Sequence, residues 1–372
     1  MTLSETLELV RPNITRLKPY SSARNEFTGG NAILLDANEN PYSLWNDDLT
    51  VNRYPDPLQR EAKLKIAEIK GVSPEQIFLG NGSDEAVDLI IRCFCEPLTD
   101  SIAIFSPTYG MYSVCADVNN VQVKEFILNN DFSINLQQFF NGISPSTKVV
   151  FICSPNNPTG NAQPIETIEQ ILSKFRGIVV VDEAYIDFCP EKTSLSLLNR
   201  YPNLVVLQTF SKAWAMAGAR IGIAFANPKI IATLNKVKFP YNIGVPSLSV
   251  LFRAIKQYSN TKSLISQIVS ERELLRLRLQ QLSCVKMVYP SDSNFLLVKT
   301  TDANSVYNYL LNNGIVVRNR THEPLCNNCL RITVGKPYEN NKLIQILNTY
   351  TRAQFLVECW VGLMSLPDHS AP

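Results

Sequence analysis

Between residues 77 and 226 short apolar runs alternate with amphipathic stretches. The runs at 77–79, 102–105, 121–126, 149–152, 178–181, 204–208 and 221–226 each predict a strand. Most are continuously apolar rather than alternating, as strands covered on both faces are. They therefore predict an α/β domain whose mostly parallel, mixed sheet is sandwiched by helices. Upstream, residues 58–70 carry helical spacing stopped by Gly71, and Ser73-Pro74-Glu75-Gln76 has the form of a capping box. A helical pattern spans about 261–282, with Glu271, Arg272 and Glu273 on its polar side. Beyond it, 294–299, 315–318 and 329–334 predict strands, and about 303–312 and 339–350 predict helices, of a smaller α+β domain. The expected organisation is an N-terminal segment 1–50, a large domain 51–260, a small domain 261–350 and a tail 351–372. Trp360, Met364 and Pro367 in that tail follow no clear period.

A chain of 372 residues that is 45% hydrophobic can bury a large core and should form more than one lobe. Its formal charge of +2 comes from Lys and Arg spread along the chain, which argues against a nucleic-acid footprint. Met1-Thr2-Leu3-Ser4-Glu5 lacks the basic and apolar regions of a secretory signal, and no apolar run reaches the length of a membrane span. The expectation is a soluble, cytoplasmic protein that engages no membrane. Nine cysteines, several in apolar settings such as Cys93, Cys115 and Cys153, suit reduced core thiols better than a disulfide framework. Cys326-Asn327-Asn328-Cys329 has zinc-ligand spacing, but no second cysteine pair accompanies it and the two histidines are His322 and His369. No metal is expected. The chemistry falls to Lys, Asp, Tyr, Arg and whatever cofactor they hold.

Three predicted strand ends run into polar devices. Val179-Val180-Val181 leads into Asp182-Glu183-Ala184-Tyr185, and a carboxylate there is the partner a pyridinium nitrogen needs. The run at 204–208 leads into Thr209-Phe210-Ser211-Lys212, where a desolvated amine could attack a carbonyl to form a Schiff base. The run at 149–152 leads into Ser154-Pro155-Asn156-Asn157-Pro158-Thr159-Gly160, a rigid polar turn. Ligands in parallel sheets bind at these carboxyl ends. Gly80-Asn81-Gly82-Ser83-Asp84-Glu85 opens a helix whose first amides could take a phosphate, though a tight turn with a Ser/Asp cap fits equally well. Ser211 and Arg220 bracket Lys212 and could meet the same phosphate, the arginine alternatively forming a salt bridge at a strand start. Tyr109 could stack on a flat heterocycle or be a core tyrosine. Asn157 and Tyr185 could hydrogen-bond a phenolate oxygen. Singly, Asn157 reads better as turn chemistry, and Asp182 as a cap or ion pair.

Taken together these residues resemble the fold-type-I pyridoxal-phosphate aminotransferases, over about residues 10 to 350. The broad likeness lies in Ser154 to Gly160, Asp182-Glu183-Ala184-Tyr185, and Ser211-Lys212 through Arg220. A narrower likeness to the histidinol-phosphate aminotransferases lies in four further stretches. These are Leu17-Lys18-Pro19-Tyr20, Leu35-Asp36-Ala37-Asn38-Glu39-Asn40-Pro41, Asn52-Arg53-Tyr54-Pro55-Asp56 and Cys329-Leu330-Arg331-Ile332-Thr333-Val334-Gly335. The resemblance implies pyridoxal 5′-phosphate as cofactor, joined to Lys212, with Asp182 holding its ring nitrogen protonated. It implies that Tyr185 and Asn157 bind the ring's 3-oxygen, Tyr109 covers its face, and Gly82, Ser83, Asp84, Ser211 and Arg220 take its phosphate. Tyr54 would reach the phosphate in a partner subunit, making the active unit a homodimer. Arg331 would clamp the α-carboxylate of glutamate and, with Tyr20, Asn38, Asn157 and Arg318, receive histidinol phosphate. Arg320, two residues from Arg318, competes for that last role. An aromatic amino-acid aminotransferase or a threonine-phosphate decarboxylase would share the cofactor residues. A catalytically silent member, acting as a binding module, would not need Lys212, Asp182 and Arg220 intact.

Overall fold

The computed structural model describes residues 1–20, 24, 33–44 and 50–364, with side chains through 351. Pro367 and the side chains of Trp360 and Met364, named above in the tail, lie outside the described residues. The chain forms two compact units, one of Met1–Asn157 with Asn161–Ile265, the other of Pro158–Gly160 with the residues from Ser266 on.

The first unit holds seven strands: β1 (Ile77–Asn81), β2 (Ser101–Ser106), β3 (Gln122–Ile127), β4 (Thr147–Cys153), β5 (Ile178–Asp182), β6 (Leu204–Thr209) and β7 (Ile221–Ala226). Their order is β1-β7-β6-β5-β4-β2-β3. Strands β2 to β6 pair parallel, while β7 runs antiparallel to both its neighbours. The sheet is thus the mostly parallel, mixed one expected. The residues of β5, β6 and β7 are buried throughout, as continuous Val, Ile and Leu runs require of strands with two covered faces. Edge strand β3 is different: Gln122, Glu125 and Ile127 are exposed and Phe126 is its one buried residue. The Ser83–Phe94 helix turns Ala86, Val87, Leu89, Ile90, Ile91, Cys93 and Phe94 into the core.

Several strands extend past their apolar runs. Backbone bonds from Ser154 N to Asp182 O (2.8 Å) and from Glu183 N to Leu207 O (2.7 Å) carry the ladder to the polar residues, so Asp182 and Thr209 are the last residues of β5 and β6. The expected helix at 58–70 begins later, at Arg60. The Asp56 carboxylate accepts from the Leu58 and Arg60 amides (3.0 and 2.7 Å), and Gln59 takes a left-handed φ of 48°. The Ser73/Gln76 capping box forms, but over a single 3-10 turn, Pro74–Gln76.

The second unit carries β8 (Val285–Val288), β9 (Phe295–Thr300), β10 (Arg318–Asn319) and β11 (Cys329–Thr333), all antiparallel in the order β10-β11-β9-β8. β8 was not expected. The strand expected at 315–318 shrinks to two residues because its start is spent closing the Ala303–Asn312 helix. There Gly314 (φ 78°) donates to Leu311 O and Ile315 N to Leu310 O, a Schellman stop. At that helix's other end Asp302 accepts from the Asn304 and Ser305 amides (3.0 and 3.1 Å). The final helix runs Pro337–Met364, well past the expected stop at 350. Among the described residues no helix is long and apolar enough to cross a membrane, and no group of three or more His, Cys, Asp or Glu could hold a metal. The eight described cysteines are buried and stand outside any disulfide.

Candidate active site

Asp182 stands at the carboxyl end of β5, inside the first unit's sheet, and is buried. Its Oδ2 accepts from the Tyr112 hydroxyl at 2.7 Å and its Oδ1 from the Ala184 amide at 3.1 Å. Loss of water pushes its carboxyl up to about 6, against the pull of those two donors. Tyr112 was not singled out from the sequence. It is fully buried, stacked on Phe151 (centroids 4.7 Å apart, 12° between planes) and edge-on to Tyr109 (5.6 Å, 85°).

A second group forms where β1 feeds the Ser83–Phe94 helix. Gly82 (φ 75°) is the N-cap and supplies no side chain to the helix's first amides, which is the arrangement an anion exploits. A Cβ on Gly82 would sit 2.5 Å from Arg220 Nη2, and one on Gly222 would sit 2.1 Å from Ser83 N. Gly222 must be glycine because the backbone at the helix start comes too close for anything larger, and Gly82 because its φ of 75° is one that L side chains rarely adopt. The Gly82 amide donates to the Arg220 carbonyl (3.0 Å), and Arg220 adopts a left-handed φ of 53°. Its guanidinium lies 3.7 Å from Asp84 Oδ2, at half exposure, so the salt bridge weighed for it exists but is worth little. Asp84 Oδ1 accepts from the Tyr109 hydroxyl at 3.2 Å. Burial, then the nearby Asp84 charge, push that phenol upward. Tyr109, Asp84 and Arg220 are therefore one connected group. Beside it, the Ser211 amide donates to Thr209 Oγ1 (3.1 Å), whose hydroxyl reaches the Ile221 carbonyl (3.2 Å). Thr209 thereby shapes the turn that presents Ser211 and Lys212.

Lys212 departs from the expectation of a desolvated amine. Because β6 ends at Thr209, the lysine falls in the following turn and is exposed in the single chain. Its Nζ lies 5.6 Å from the centroid of the buried Tyr185 ring. Asn157 is buried. Asn156 donates from its Nδ2 to the Pro107 carbonyl (2.9 Å) and accepts from the Thr108 hydroxyl (2.9 Å). Tyr20 and Asn38 (φ 54°) are exposed. Tyr54 is half-exposed and stacks on Tyr241 (4.4 Å, 18°), while its amide donates to Glu39 Oε1 at 2.7 Å.

In the second unit Arg318 and Arg331 are direct cross-strand partners of β10 and β11, so they share one face of that sheet. Arg331 lies over the Phe295 ring (5.3 Å). Like charges placed opposite one another destabilise a ladder, which is relieved when an anion lies between them. Arg320 is engaged elsewhere, in a 2.6 Å ion pair with Glu323.

The family model for aminotransferase class I and II matches residues 24–347. The chain belongs to this family. It is thus an enzyme of the aminotransferase fold. It is 50% identical over 344 residues to the histidinol-phosphate aminotransferase of Bacteroides thetaiotaomicron, covering 92% of this chain and 98% of that one. It is 49% identical over 340 residues to the protein of the same name from Christiangramia forsetii, covering 91% and 96%. Among solved structures, histidinol-phosphate aminotransferase from Clostridium acetobutylicum aligns with a TM-score of 0.76 at 24% identity, over 82% of this chain and 92% of that one. The Sinorhizobium meliloti protein of that name, in complex with pyridoxal-5′-phosphate, gives 0.75 at 23% identity over 82% and 84%. At those identities the structures speak to the fold alone.

Proposed function

We propose that this aminotransferase moves the amino group of L-histidinol phosphate to 2-oxoglutarate, with pyridoxal 5′-phosphate as cofactor. The products are imidazole acetol phosphate and glutamate, in L-histidine biosynthesis. The observation that carries the reading is near-half identity, over nine-tenths of both chains, to proteins named for histidinol phosphate.

The residues present fit the cofactor. A carboxylate as buried as Asp182 is costly until a cation faces it, and a protonated ring nitrogen is such a cation. An uncapped helix N-terminus with a guanidinium against Gly82 suits a phosphate. When bound, pyridoxal phosphate supplies the aldehyde that joins the amine and the cationic ring that accepts the electron pair released at Cα. The chain's own residues do the rest. Asp182 would hold the ring nitrogen protonated. Tyr185 and Asn157 would donate to the ring's 3-oxygen, and Tyr109 would cover one face. Gly82, Ser83, Asp84, Ser211 and Arg220 would bind the phosphate. Lys212 would anchor the cofactor and then carry the proton away from the substrate's Cα as general base. Arg331 and Arg318, on one face of their sheet, would clamp the anionic ends of both substrates in turn, with Tyr20 and Asn38 alongside. Arg318 is preferred over Arg320 because Glu323 already neutralises the latter. The working form would be a cytoplasmic homodimer, in which Tyr54 serves the partner's site.

The test mixes the purified chain and pyridoxal phosphate with histidinol phosphate, phenylalanine or threonine phosphate, each with 2-oxoglutarate. Glutamate should form fastest from histidinol phosphate. Faster transfer from phenylalanine, or carbon dioxide release from threonine phosphate, would replace the assignment.

A further inference from the structure

Tyr112 spends a polar atom where a phenylalanine would fill the same space. Its side chain is beyond the reach of solvent, and a buried hydroxyl is tolerated only when bonded. Phe151 against one face and Tyr109 at the edge hold the ring, so the hydroxyl has a fixed direction. That direction is Asp182 Oδ2, at 2.7 Å. With the Ala184 amide on Oδ1, the carboxylate has one donor on each oxygen. A donor to the ionised form favours that form, and inside a dry site the effect is larger than in water.

We propose that Tyr112 is a positioning residue for amine transfer, whose hydroxyl holds Asp182 ionised and aimed so that it can pair with the cofactor's ring nitrogen. This rests on the cofactor reading above. The other groups facing Asp182 do not substitute for it. Asp84 opposes ionisation, Lys212 favours it from farther away, and the Cys153 thiol, in register with Asp182 across β4 and β5, is pushed up to about 12 by burial and stays neutral. Tyr109 spends its hydroxyl on Asp84, and Tyr185 faces Lys212.

The cofactor-free full chain provides the first readout. Asp182 holds its proton to about 6, above the ordinary carboxylate value of about 4. The folded chain therefore binds that proton more tightly than the unfolded one. Stability is lost as pH rises from about 4 through about 6, and the loss is complete above that. Removing the Tyr112 hydroxyl raises the folded value further, so the loss should continue to higher pH. Urea unfolding between pH 4 and 8 would compare the wild type, Tyr112→Phe, Asp182→Asn and the double variant. The stability gap between wild type and Tyr112→Phe should widen as pH rises through 6 to 8, and in the Asp182→Asn background it should not vary with pH. Tyr112→3-fluorotyrosine, a stronger donor of the same shape, should move the profile to lower pH, and decides the matter if the phenylalanine variant does not fold.

The second readout is pyridoxal phosphate affinity by absorbance titration at pH 7.5. It should weaken roughly ten- to hundredfold in Tyr112→Phe, the size of a lost bond to a charged group. Parallel stability profiles in all backgrounds, or fluorotyrosine acting in the same direction as phenylalanine, would overturn the proposal. A wild-type chain that bound no pyridoxal phosphate would remove the cofactor reading, while the unfolding profiles would still decide whether Tyr112 governs Asp182.

Discussion

Lys212 and Asp182 sit at the ends of adjacent parallel strands, yet their surroundings are opposite, and the contrast separates chemistry from folding. Lys212 is exposed, and its Nζ stands over the Tyr185 ring. Lys212→Ala should lower the unfolding free energy by about 1 kcal/mol or less, the size of an exposed cation–π contact, and leave the fold intact. Amine transfer should fall by roughly 10² to 10⁴ or more, the contribution of a positioned general base. Parallel assays of unfolding and glutamate formation check both halves, and near-normal turnover in this variant would remove Lys212 from the mechanism. Glu183, next to Asp182 and as deeply buried, plays another part. Its carboxylate accepts from Thr193 (2.7 Å), Gln208 (2.9 Å) and the Ser194 amide, so its bonds tie the end of β5 to β6 and to the segment between the two strands. Two neighbouring acids thus divide the labour, one for structure and one facing the site. Asp182 was legible in the sequence because it follows an apolar run directly, and Lys212 because it lies in the short polar turn after another. Tyr112 was not. It lies in the Met111–Val118 helix, where a tyrosine reads as core, and its partner is 70 residues away.

At the scale of elements, the closeness of β1, β7 and the Ser83–Phe94 helix builds the anion cradle. Gly80 faces Gly222 in the β1–β7 register, and the strand then runs straight into Gly82. A methyl at 222 would meet Ser83 N at 2.1 Å and Gly82 C at 2.2 Å, backbone atoms that yield only if the helix start moves. Gly222→Ala should cost about 1–3 kcal/mol of stability, as overpacking does. It should also weaken pyridoxal phosphate binding, because the same shift disperses the first-turn amides. Gly110→Ala is the control, since nothing lies within 4 Å of its added Cβ. Equal effects of the two alanines on cofactor affinity would disconnect the cradle from phosphate binding. The elements around this cradle were readable because their apolar runs are continuous. Those of the second unit were less so. β8 exposes two adjacent residues, Lys286 and Met287, at a register shift, so its four residues show no alternation to stand out, and the loss of 315–317 from β10 follows from a Gly314 cap that apolar spacing hides.

For the whole molecule, the N-terminal segment leaves large apolar side chains in water. Ile33, Leu35, Tyr42 and Leu44 are each about four-fifths exposed or more, as is Phe239 at 77%. Covering such side chains is what the proposed homodimer would supply. Tyr54 belongs to the same unit and is anchored at its amide by Glu39, which also accepts from Arg24 (2.6 Å) and Arg53 (2.8 Å). That cluster fixes the backbone of Tyr54 while its ring stays half-exposed beside Tyr241. In the proposed homodimer the ring reaches the partner's cofactor phosphate, and a two-fold interface makes the contribution reciprocal. Two defects on different chains can then compensate. Lys212→Ala and Tyr54→Ala homodimers should each be impaired. A heterodimer of the two has one site with both defects and one with neither. Co-expressed at equal levels, the pair should recover about a quarter of wild-type turnover, since about half the dimers are mixed and each holds one intact site. If Tyr54 instead acts within its own chain, every mixed dimer carries one broken site of each kind and turnover stays at the level of the separate variants. Sedimentation of the purified mixture as a dimer, with activity following the mixed species through tag-based separation, distinguishes the two arrangements.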